Sequence, residues 1–273
     1  MYARVIAQGL TKHWDRQVIV ENRPSVIAIE TAIRALPDGY SILIYSTGLW
    51  IGPLLQKATY DPLKDVAPVT IAVMAPNILA VNPSVPASSV KELIALAKAK
   101  PGALNYGSGG AGSGAHLATE LFNYMAGVNI VRVPFKGAGP ATNAMIGGDI
   151  QMIFSTVSTL IAHVKSGKVR ALGVTTAKPS PLAPDLPTVA SALPGYEFSQ
   201  FSGIFAPAKT PPALTRRIQQ DIAATLAQQD VKERLLVVSA ETVGSTPEGL
   251  SQAMKAEMTR FSKVFKSGGI KQE

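Results

Sequence analysis

Residues 105–117 read NYGSGGAGSGAHL, a glycine- and serine-rich loop that runs directly into a predicted helix. Glycine tolerates positive φ and lets other atoms approach the backbone, so such a loop can direct several N–H groups at one point. The helix is predicted over residues 116–125, and the positive end of its dipole lies at the same place. Its buried face is predicted to comprise Leu117, Leu121 and Tyr124. The segment therefore predicts a site for an anion.

Segments typical of strands and of helices alternate on both sides of this loop, which predicts an α/β fold. Pro76-Asn77 interrupts the predicted strand 69–81, so this segment is interpreted either as one strand or as two. Strands are predicted at 17–20, 41–45, 69–81, 130–135, 150–154, 169–175, 198–205 and 241–243. Helices are predicted at 27–35, 89–100, 116–125, 140–147, 159–165, 212–228, 231–237 and 247–266, after an amphipathic one at the N-terminus.

Two of these strands, 69–81 and 198–205, lie between otherwise self-contained α/β blocks. The simplest architecture inserts a central lobe, residues 78–202, into a first lobe made of residues 1–77 and 203–273. The two crossovers between the lobes then form a hinge beside a cleft, where small ligands usually bind.

The composition favours a folded protein with a small anionic ligand. Hydrophobic residues make up 47% of the 273 residues and charged residues 16%, with a net charge of +8. The basic residues are spread out and aromatic residues are only 6%, which argues against nucleic-acid binding. The absence of cysteine excludes disulfides, thiol catalysis and cysteine-based zinc sites.

Neither a membrane span nor a signal peptide is predicted. No apolar run approaches the ~20 residues that a transmembrane helix needs. Residues 1–10 lack the continuous apolar centre and the cleavage site of a signal peptide.

Gly107-x-Gly109-x-x-Gly112 matches the dinucleotide-binding fingerprint in its glycines alone. The fingerprint also needs an acidic residue ~20 residues further on to bind the ribose. The strand that follows ends in Pro134-Phe135-Lys136, without Asp or Glu. The sequence therefore predicts no nicotinamide cofactor, and it contains no phosphate-binding loop that ends in Gly-Lys-Ser/Thr.

A catalytic role for the loop would depend on His116. Ser108 and Ser113 lie near it in sequence, but neither is framed as Gly-x-Ser-x-Gly. A histidine in the first turn of a helix is more often a capping or packing residue, and both interpretations stay open. With three histidines and no paired histidine spacing, no metal site is expected. Trp50 is interpreted either as a core residue or as part of a cleft.

A series of short motifs follows in a fixed order along nearly the whole chain. In this combination the sequence resembles the tripartite tricarboxylate transporter receptors, also called the Bug family of solute-binding proteins. The motifs are Val20-Glu21-Asn22-Arg23-Pro24, Pro37-Asp38-Gly39-Tyr40, the glycine loop with His116-Leu117, Val133-Pro134-Phe135-Lys136-Gly137 with Pro140-Ala141, Gly167-Lys168-Val169-Arg170-Ala171-Leu172, Leu186-Pro187-Thr188-Val189-Ala190, Pro194-Gly195-Tyr196 and Phe205-Ala206-Pro207.

The resemblance implies a periplasmic binding protein of type II, with two lobes joined by a two-strand hinge. Such a protein closes on a small organic carboxylate and presents it to membrane transporter subunits. It is expected to be a periplasmic monomer, without enzymatic activity, cofactor or metal. An enzyme or a signalling receptor that uses the same cleft is the alternative.

The family's ligand-binding loops, carried over to this sequence, give a set of predicted contacts from both lobes. In the family, backbone amides and hydroxyls of these loops meet the ligand carboxylates. In the first lobe they are Ser46 and Thr47, and in the second lobe Gly107, Ser108, Gly109, Gly112, Ser113, His116, Lys136, Gly137, Ala138, Ser155 and Thr156.

Two departures from the family pattern affect the first lobe. Members begin with a signal peptide, a strand and a Pro/Gly-rich loop, whereas this chain begins within the helix that follows. After Arg23-Pro24 the family has a Gly-Ala-Gly-Gly-like run, and here the residues are Ser25-Val26-Ile27. Part of the first-lobe site is therefore expected to be missing.

Overall fold

A computed structural model describes residues 2–268, which form ten α-helices and eight β-strands. The helices are α1 (Tyr2–Trp14), α2 (Ser25–Arg34), α3 (Gly48–Leu55), α4 (Val90–Ala99), α5 (Gly114–Ala126), α6 (Ala138–Gly147), α7 (Val157–Lys165), α8 (Pro212–Ala227), α9 (Gln229–Val237) and α10 (Pro247–Ser267). The strands are β1 (Leu43–Ser46), β2 (Val66–Val81), β3 (Asn105–Ser108), β4 (Val131–Pro134), β5 (Met152–Thr156), β6 (Arg170–Val174), β7 (Ser199–Pro207) and β8 (Glu241–Thr242).

The described chain divides into two compact units. Unit 1 contains residues 2–74 and 201–259, and unit 2 contains residues 75–200 and 260–268. The chain changes unit within β2, within β7 and again within α10.

Unit 1 is built on antiparallel strands. Strand β7 pairs with β1, with Leu43 opposite Phe205, and lies between β1 and β2. The short strand β8 pairs with β2, with Val73 opposite Thr242. A core of aliphatic side chains from α1, β2, α8 and α9 packs together, and Leu10, Val73, Ile222 and Leu235 are at most 1% exposed.

Trp50 of α3 is a core residue of unit 1. Of the two interpretations of this residue, core residue or part of a cleft, the structure supports the first. Its side chain is 0% exposed and packs against Phe205, with 6.2 Å between ring centroids. Its indole Nε1 donates a hydrogen bond to a carboxylate oxygen of the buried Glu257 at 3.0 Å. Burial of an indole requires such a polar partner, and here the partner comes from α10.

Unit 2 is built on a mixed sheet in the order β6-β2-β5-β3-β4. Strands β4 and β5 both run parallel to β3, and the residues of β2 from Asn77 onward run antiparallel to β5 and β6. Asn77 lies opposite Thr156, so the start of β2 in this unit and the carboxyl end of β5 share one edge of the sheet. The carboxyl ends of β3 and β4 lie at that same edge because Ser108 is in register with Pro134.

Residues 260–268 belong to unit 2, whereas the sequence interpretation assigned all of 203–273 to the first lobe. The aromatic side chains of this segment explain the difference. Phe261 packs edge-on against Phe198, and Phe265 stacks on His116 with 6.3 Å between ring centroids. Residues 269–273 lie outside the described chain.

Several predicted elements differ in the structure. Residues 17–20 form no strand, because no strand in residues 2–268 pairs with them, and Ile19 is 79% exposed. Strand β2 is continuous through Pro76-Asn77 over 16 residues. Tyr124 is 48% exposed, and Phe122 lies in the core instead. The hydrophobic patterns of the sequence did not predict helix α3 or strand β3, because both are short and contain glycine.

We predict that Trp50→Phe lowers the free energy of unfolding by about 2–3 kcal/mol, because it removes a hydrogen bond to a buried carboxylate. Trp14→Phe is the matched control. The Trp14 indole also donates at 3.0 Å to a carboxylate, that of Asp221, but Trp14 and Asp221 are both only half-buried. We expect a loss of about 1 kcal/mol or less for the control. Urea denaturation measures both, and equal losses would contradict the prediction.

Candidate anion-binding site

Three helices of unit 2 begin at the carboxyl edge of its parallel strands. Strand β3 leads into α5, β4 into α6 and β5 into α7. In open α/β sheets this edge is where ligands bind, since helix N-termini bring N–H groups and positive dipole ends there. The second-lobe residues predicted to bind the ligand all lie on these three connections, on the strand ends before them or in the first turn of the helix that follows.

The loop after β3 has backbone donors without an internal partner. Within residues 2–268, no hydrogen bond is made by the N–H groups of Gly109, Gly110 or Ala111. Gly109 is exposed, and Gly110 and Ala111 are half-buried. Unpaired donors on an accessible loop can bind an anion without a buried countercharge.

The connections after β3 and β4 approach each other closely because Gly109 has no side chain. A Cβ atom at Gly109 would lie 3.2 Å from both Cα and the carbonyl carbon of Gly137, and 3.4 Å from the nitrogen of Ala138. Gly137 itself has a φ of +118°, a conformation that favours glycine. Within the described chain no side chain caps the start of α6, and the nitrogen of Ala138 lies close to the loop.

Ser113 and His116 shape the start of α5. The Ser113 hydroxyl accepts a hydrogen bond from the backbone N–H of His116 at 3.4 Å, as an N-cap. The His116 ring accepts at Nδ1 from the N–H of Gly112 at 3.0 Å and is 3% exposed. Burial, and then the charge of Arg132, lower the pKa of His116 to about 3. His116 therefore holds the loop as a neutral acceptor, which agrees with a capping and packing role.

Ser108 lies within β3 and not in the loop, and it belongs to a buried polar network. Its side chain is 0% exposed, and its hydroxyl accepts a hydrogen bond from Nε of Arg132 at 2.8 Å. On the same face of β3, the Tyr106 hydroxyl donates to the Glu120 carboxylate at 2.6 Å. Burial raises the pKa of Glu120, although the Tyr106 hydrogen bond and the Arg132 charge oppose it. The guanidinium of Arg132, which the sequence interpretation did not select, thus lies beside the site.

Gly107 also lies within β3, on the opposite face. A Cβ atom there would lie 2.5 Å from Cδ1 of Ile150 and 3.1 Å from Cβ of Ala141, so the glycine favours close packing of α6 on β3 at this point. Lys136 and Ala138 are exposed at the connection into α6.

Ser155 and Thr156 close β5 on alternate faces of the sheet. Ser155 is buried, and Thr156 is half-buried and is the N-cap residue of α7. The Thr156 hydroxyl shares hydrogen bonds with the hydroxyls of Ser158 at 3.2 Å and Thr159 at 2.8 Å. It makes no cap to α7 within the described residues, so the first N–H groups of this helix are also open.

Two amide side chains at this edge were not predicted from the sequence to contact the ligand. Asn77 is opposite Thr156, and its side-chain nitrogen would lie 3.6 Å from a Cβ at Gly114, the first residue of α5. Oε1 of Gln200 would lie only 2.6 Å from the same Cβ position. The pair Pro76-Asn77 was interpreted as a strand breaker, and only the strand register brings Asn77 to the site.

Ser46 and Thr47 lie in unit 1, at the end of β1 and the start of α3. Ser46 is half-buried and opposite Ser202. The Thr47 backbone N–H donates to the carbonyl of Phe201 at 3.2 Å. The Thr47 hydroxyl is buried and has no hydrogen-bond partner within residues 2–268. An unpaired buried hydroxyl at a helix start suits a ligand contact.

No cluster of three or more His, Asp or Glu side chains among the described residues could hold a metal ion. In residues 2–268 no hydrogen bond joins the His116 ring to a serine hydroxyl. None of the helices in that range combines the length and the hydrophobicity of a membrane span.

Comparison with solved structures defines the class of protein as a periplasmic binding protein. The structure of R. palustris Rpa4515 with adipate has a TM-score of 0.88 and 34% identity, covering 100% of this chain and 93% of that one. The periplasmic binding protein BugD has a TM-score of 0.83 and 29% identity, with the same coverage. MatC from Rhodopseudomonas palustris with bound malate has a TM-score of 0.82 and 26% identity, covering 96% of this chain and 92% of that one.

The chain belongs to the tripartite tricarboxylate transporter receptors. The model of this family, TctC, matches residues 2–270. The UPF0065 protein in the tcbD-tcbE intergenic region of Pseudomonas sp. strain P51 is 33% identical over 269 residues, which are 96% of this chain and 80% of that protein. BugT of Bordetella pertussis is 31% identical over 276 residues, which are 98% of this chain and 85% of that protein. The predicted family and fold class are thus confirmed.

We predict that His116 makes the protein less stable at acidic pH. Since an unfolded histidine has a pKa near 6.5 and the folded one has a pKa of about 3, the unfolded state binds the extra proton between these values. The free energy of unfolding should therefore fall as pH decreases from about 6.5, by up to ~1.4 kcal/mol per pH unit.

The variant His116→Asn retains a short acceptor and does not titrate, so its stability should depend less on pH across this window. The measurement is urea denaturation at several pH values, expressed as the difference from wild type so that shared titrations cancel. His163→Asn in α7 is the matched control and should follow wild type. Parallel curves for wild type and His116→Asn would contradict the prediction.

Proposed function

We propose that this chain is a solute receptor that binds a small organic anion through a carboxylate at the edge formed by the starts of α5, α6 and α7. The observation that carries the proposal is the set of unpaired N–H groups at Gly109–Ala111, held against the start of α6. These donors and helix dipoles can replace the water that a carboxylate loses on binding.

The comparisons support this class of ligand. The chain belongs to the family of tripartite tricarboxylate transporter receptors, and two structures similar to it hold adipate and malate. The ligand of this chain is accordingly a di- or tricarboxylate, an aromatic acid or an acidic amino acid. Ser46 and the unpaired hydroxyl of Thr47 supply the contacts from the first lobe.

The receptor delivers its ligand to the membrane subunits of a tripartite tricarboxylate transporter, and it does so as a periplasmic monomer. Family membership supports the transporter and the compartment. Catalysis forms no part of the proposed function. A buried histidine with a pKa of about 3 is a poor general base at neutral pH.

A thermal-shift screen of the purified chain tests the proposal. The panel contains succinate, adipate, malate, citrate, benzoate and glutamate, with phosphate and with the corresponding amides or methyl esters as controls. A carboxylate present at ~100 times its dissociation constant should stabilise the folded state by ~2.7 kcal/mol, which raises the melting temperature by roughly 5–10 °C. Stabilisation by phosphate alone, or equally by the neutral esters, would contradict a carboxylate site.

We further predict that Gly109→Ala weakens binding of the carboxylate found in this screen by about tenfold or more. The added methyl group meets the backbone of Gly137 and forces the two donor-bearing connections apart. Gly147→Ala in α6 is the matched control, because the nearest atom to its new methyl group is Oδ2 of Asp149 at 3.8 Å. Isothermal titration of both variants measures the effect, and wild-type affinity in Gly109→Ala would show that the close approach is not required.

A further inference from the structure

Asn77 carries a buried hydrogen-bond acceptor that no group of the described residues satisfies. The residue is 1% exposed, and its side-chain oxygen Oδ1 has no partner among residues 2–268. Burying an amide oxygen without a hydrogen bond costs ~1–3 kcal/mol, so native proteins rarely leave one unpaired without a functional reason.

The backbone on both sides fixes the position of this acceptor. The Asn77 N–H donates to the Thr175 hydroxyl at 2.9 Å, and the Asn77 carbonyl accepts from the Thr175 N–H at 2.9 Å and from the Thr175 hydroxyl at 3.2 Å. On the other side Asn77 is in register with Thr156 of β5. The backbone of Asn77 is therefore held within the sheet.

The amide side chain of Asn77 lies at the start of α5, which belongs to the proposed carboxylate site. Nδ2 of Asn77 would lie 3.6 Å from a Cβ at Gly114, where α5 begins, and the Gln200 amide oxygen would lie 2.6 Å from the same Cβ. Thr156, which is opposite Asn77 in the neighbouring strand, precedes the start of α7, which has no side-chain cap within the described residues. The Asn77 amide, which carries the unpaired oxygen, is thus close to a ligand bound at these helix starts.

A carboxylate cannot satisfy Oδ1 of Asn77. Ionised carboxylates only accept hydrogen bonds, and two acceptors placed together repel. The unpaired oxygen requires an O–H or N–H donor close to the bound carboxylate. A site built to accept from such a donor discriminates strongly against the analogue that lacks it, because the buried acceptor is then left unpaired.

We infer that Asn77 is a specificity-determining residue that selects carboxylates with a hydroxyl or ammonium group near the carboxylate, such as 2-hydroxy and 2-amino diacids. The donor of this group occupies Oδ1 while the helix starts bind the carboxylate. The inference rests on the proposed function, since it assumes that the carboxylate binds at this edge.

The experiment compares matched ligand pairs that differ only in the donor: succinate with malate, and adipate with 2-hydroxyadipate. Isothermal titration gives the ratio of dissociation constants within each pair. We expect the wild-type protein to bind the substituted member of at least one pair about tenfold more tightly or better. The variant Asn77→Leu, of similar size and without the acceptor, should reduce that ratio to near one. The same change at the exposed Asn143 of α6, Asn143→Leu, should leave the ratio unchanged.

Each outcome has a defined meaning. A wild-type ratio near one in both pairs overturns the role of Asn77 while the proposed function stands, and this result does not depend on whether Asn77→Leu folds. A preference that persists in Asn77→Leu also overturns it, because the selecting group then lies elsewhere. If no carboxylate of either pair binds, or of the wider panel, the proposed function fails and the inference fails with it.

Discussion

The backbone-to-backbone approach of Gly109 and Gly137 is the contact on which the candidate site depends. It brings the end of β3 and the start of α6 so close that a Cβ at residue 109 would lie 3.2 Å from the backbone of Gly137. Gly107 allows the matching approach one layer deeper, where α6 packs on β3. As a result, the unpaired N–H groups of the loop lie close to the start of α6, and in the proposed function the binding strength comes from the placement of the backbone.

Below this contact, a buried polar network keeps the strand ends rigid. Arg132 donates a hydrogen bond to the Ser108 hydroxyl, and Tyr106 donates one to Glu120. The neutral His116 ring accepts a hydrogen bond from the N–H of Gly112 in the loop. Each group is satisfied by a neighbour in unit 2, so the loop has a defined shape before any ligand arrives. Preorganisation of this kind reduces the entropy that binding must overcome.

The sequence was sufficient for the family, the α/β class and the connections that carry the site, because glycine patterns and helix starts are local signals. The sequence did not predict the features that depend on pairing between strands far apart in the chain. Residues 17–20 have the composition of a strand but no partner in the described chain, and Asn77 looked like a strand breaker until the register placed it beside Thr156. The hydroxyl of Ser108 looked available in a glycine loop, yet β3 extends far enough to bury it against Arg132. Phe265 gave no local sign that it would stack on His116.

That last contact also has a consequence for the timing of folding. The stack of Phe265 on His116, and the packing of Phe261 on Phe198, use residues near the end of the chain. The site in unit 2 therefore lacks part of its packing until these residues dock against it, and contacts between residues so far apart in the sequence slow folding.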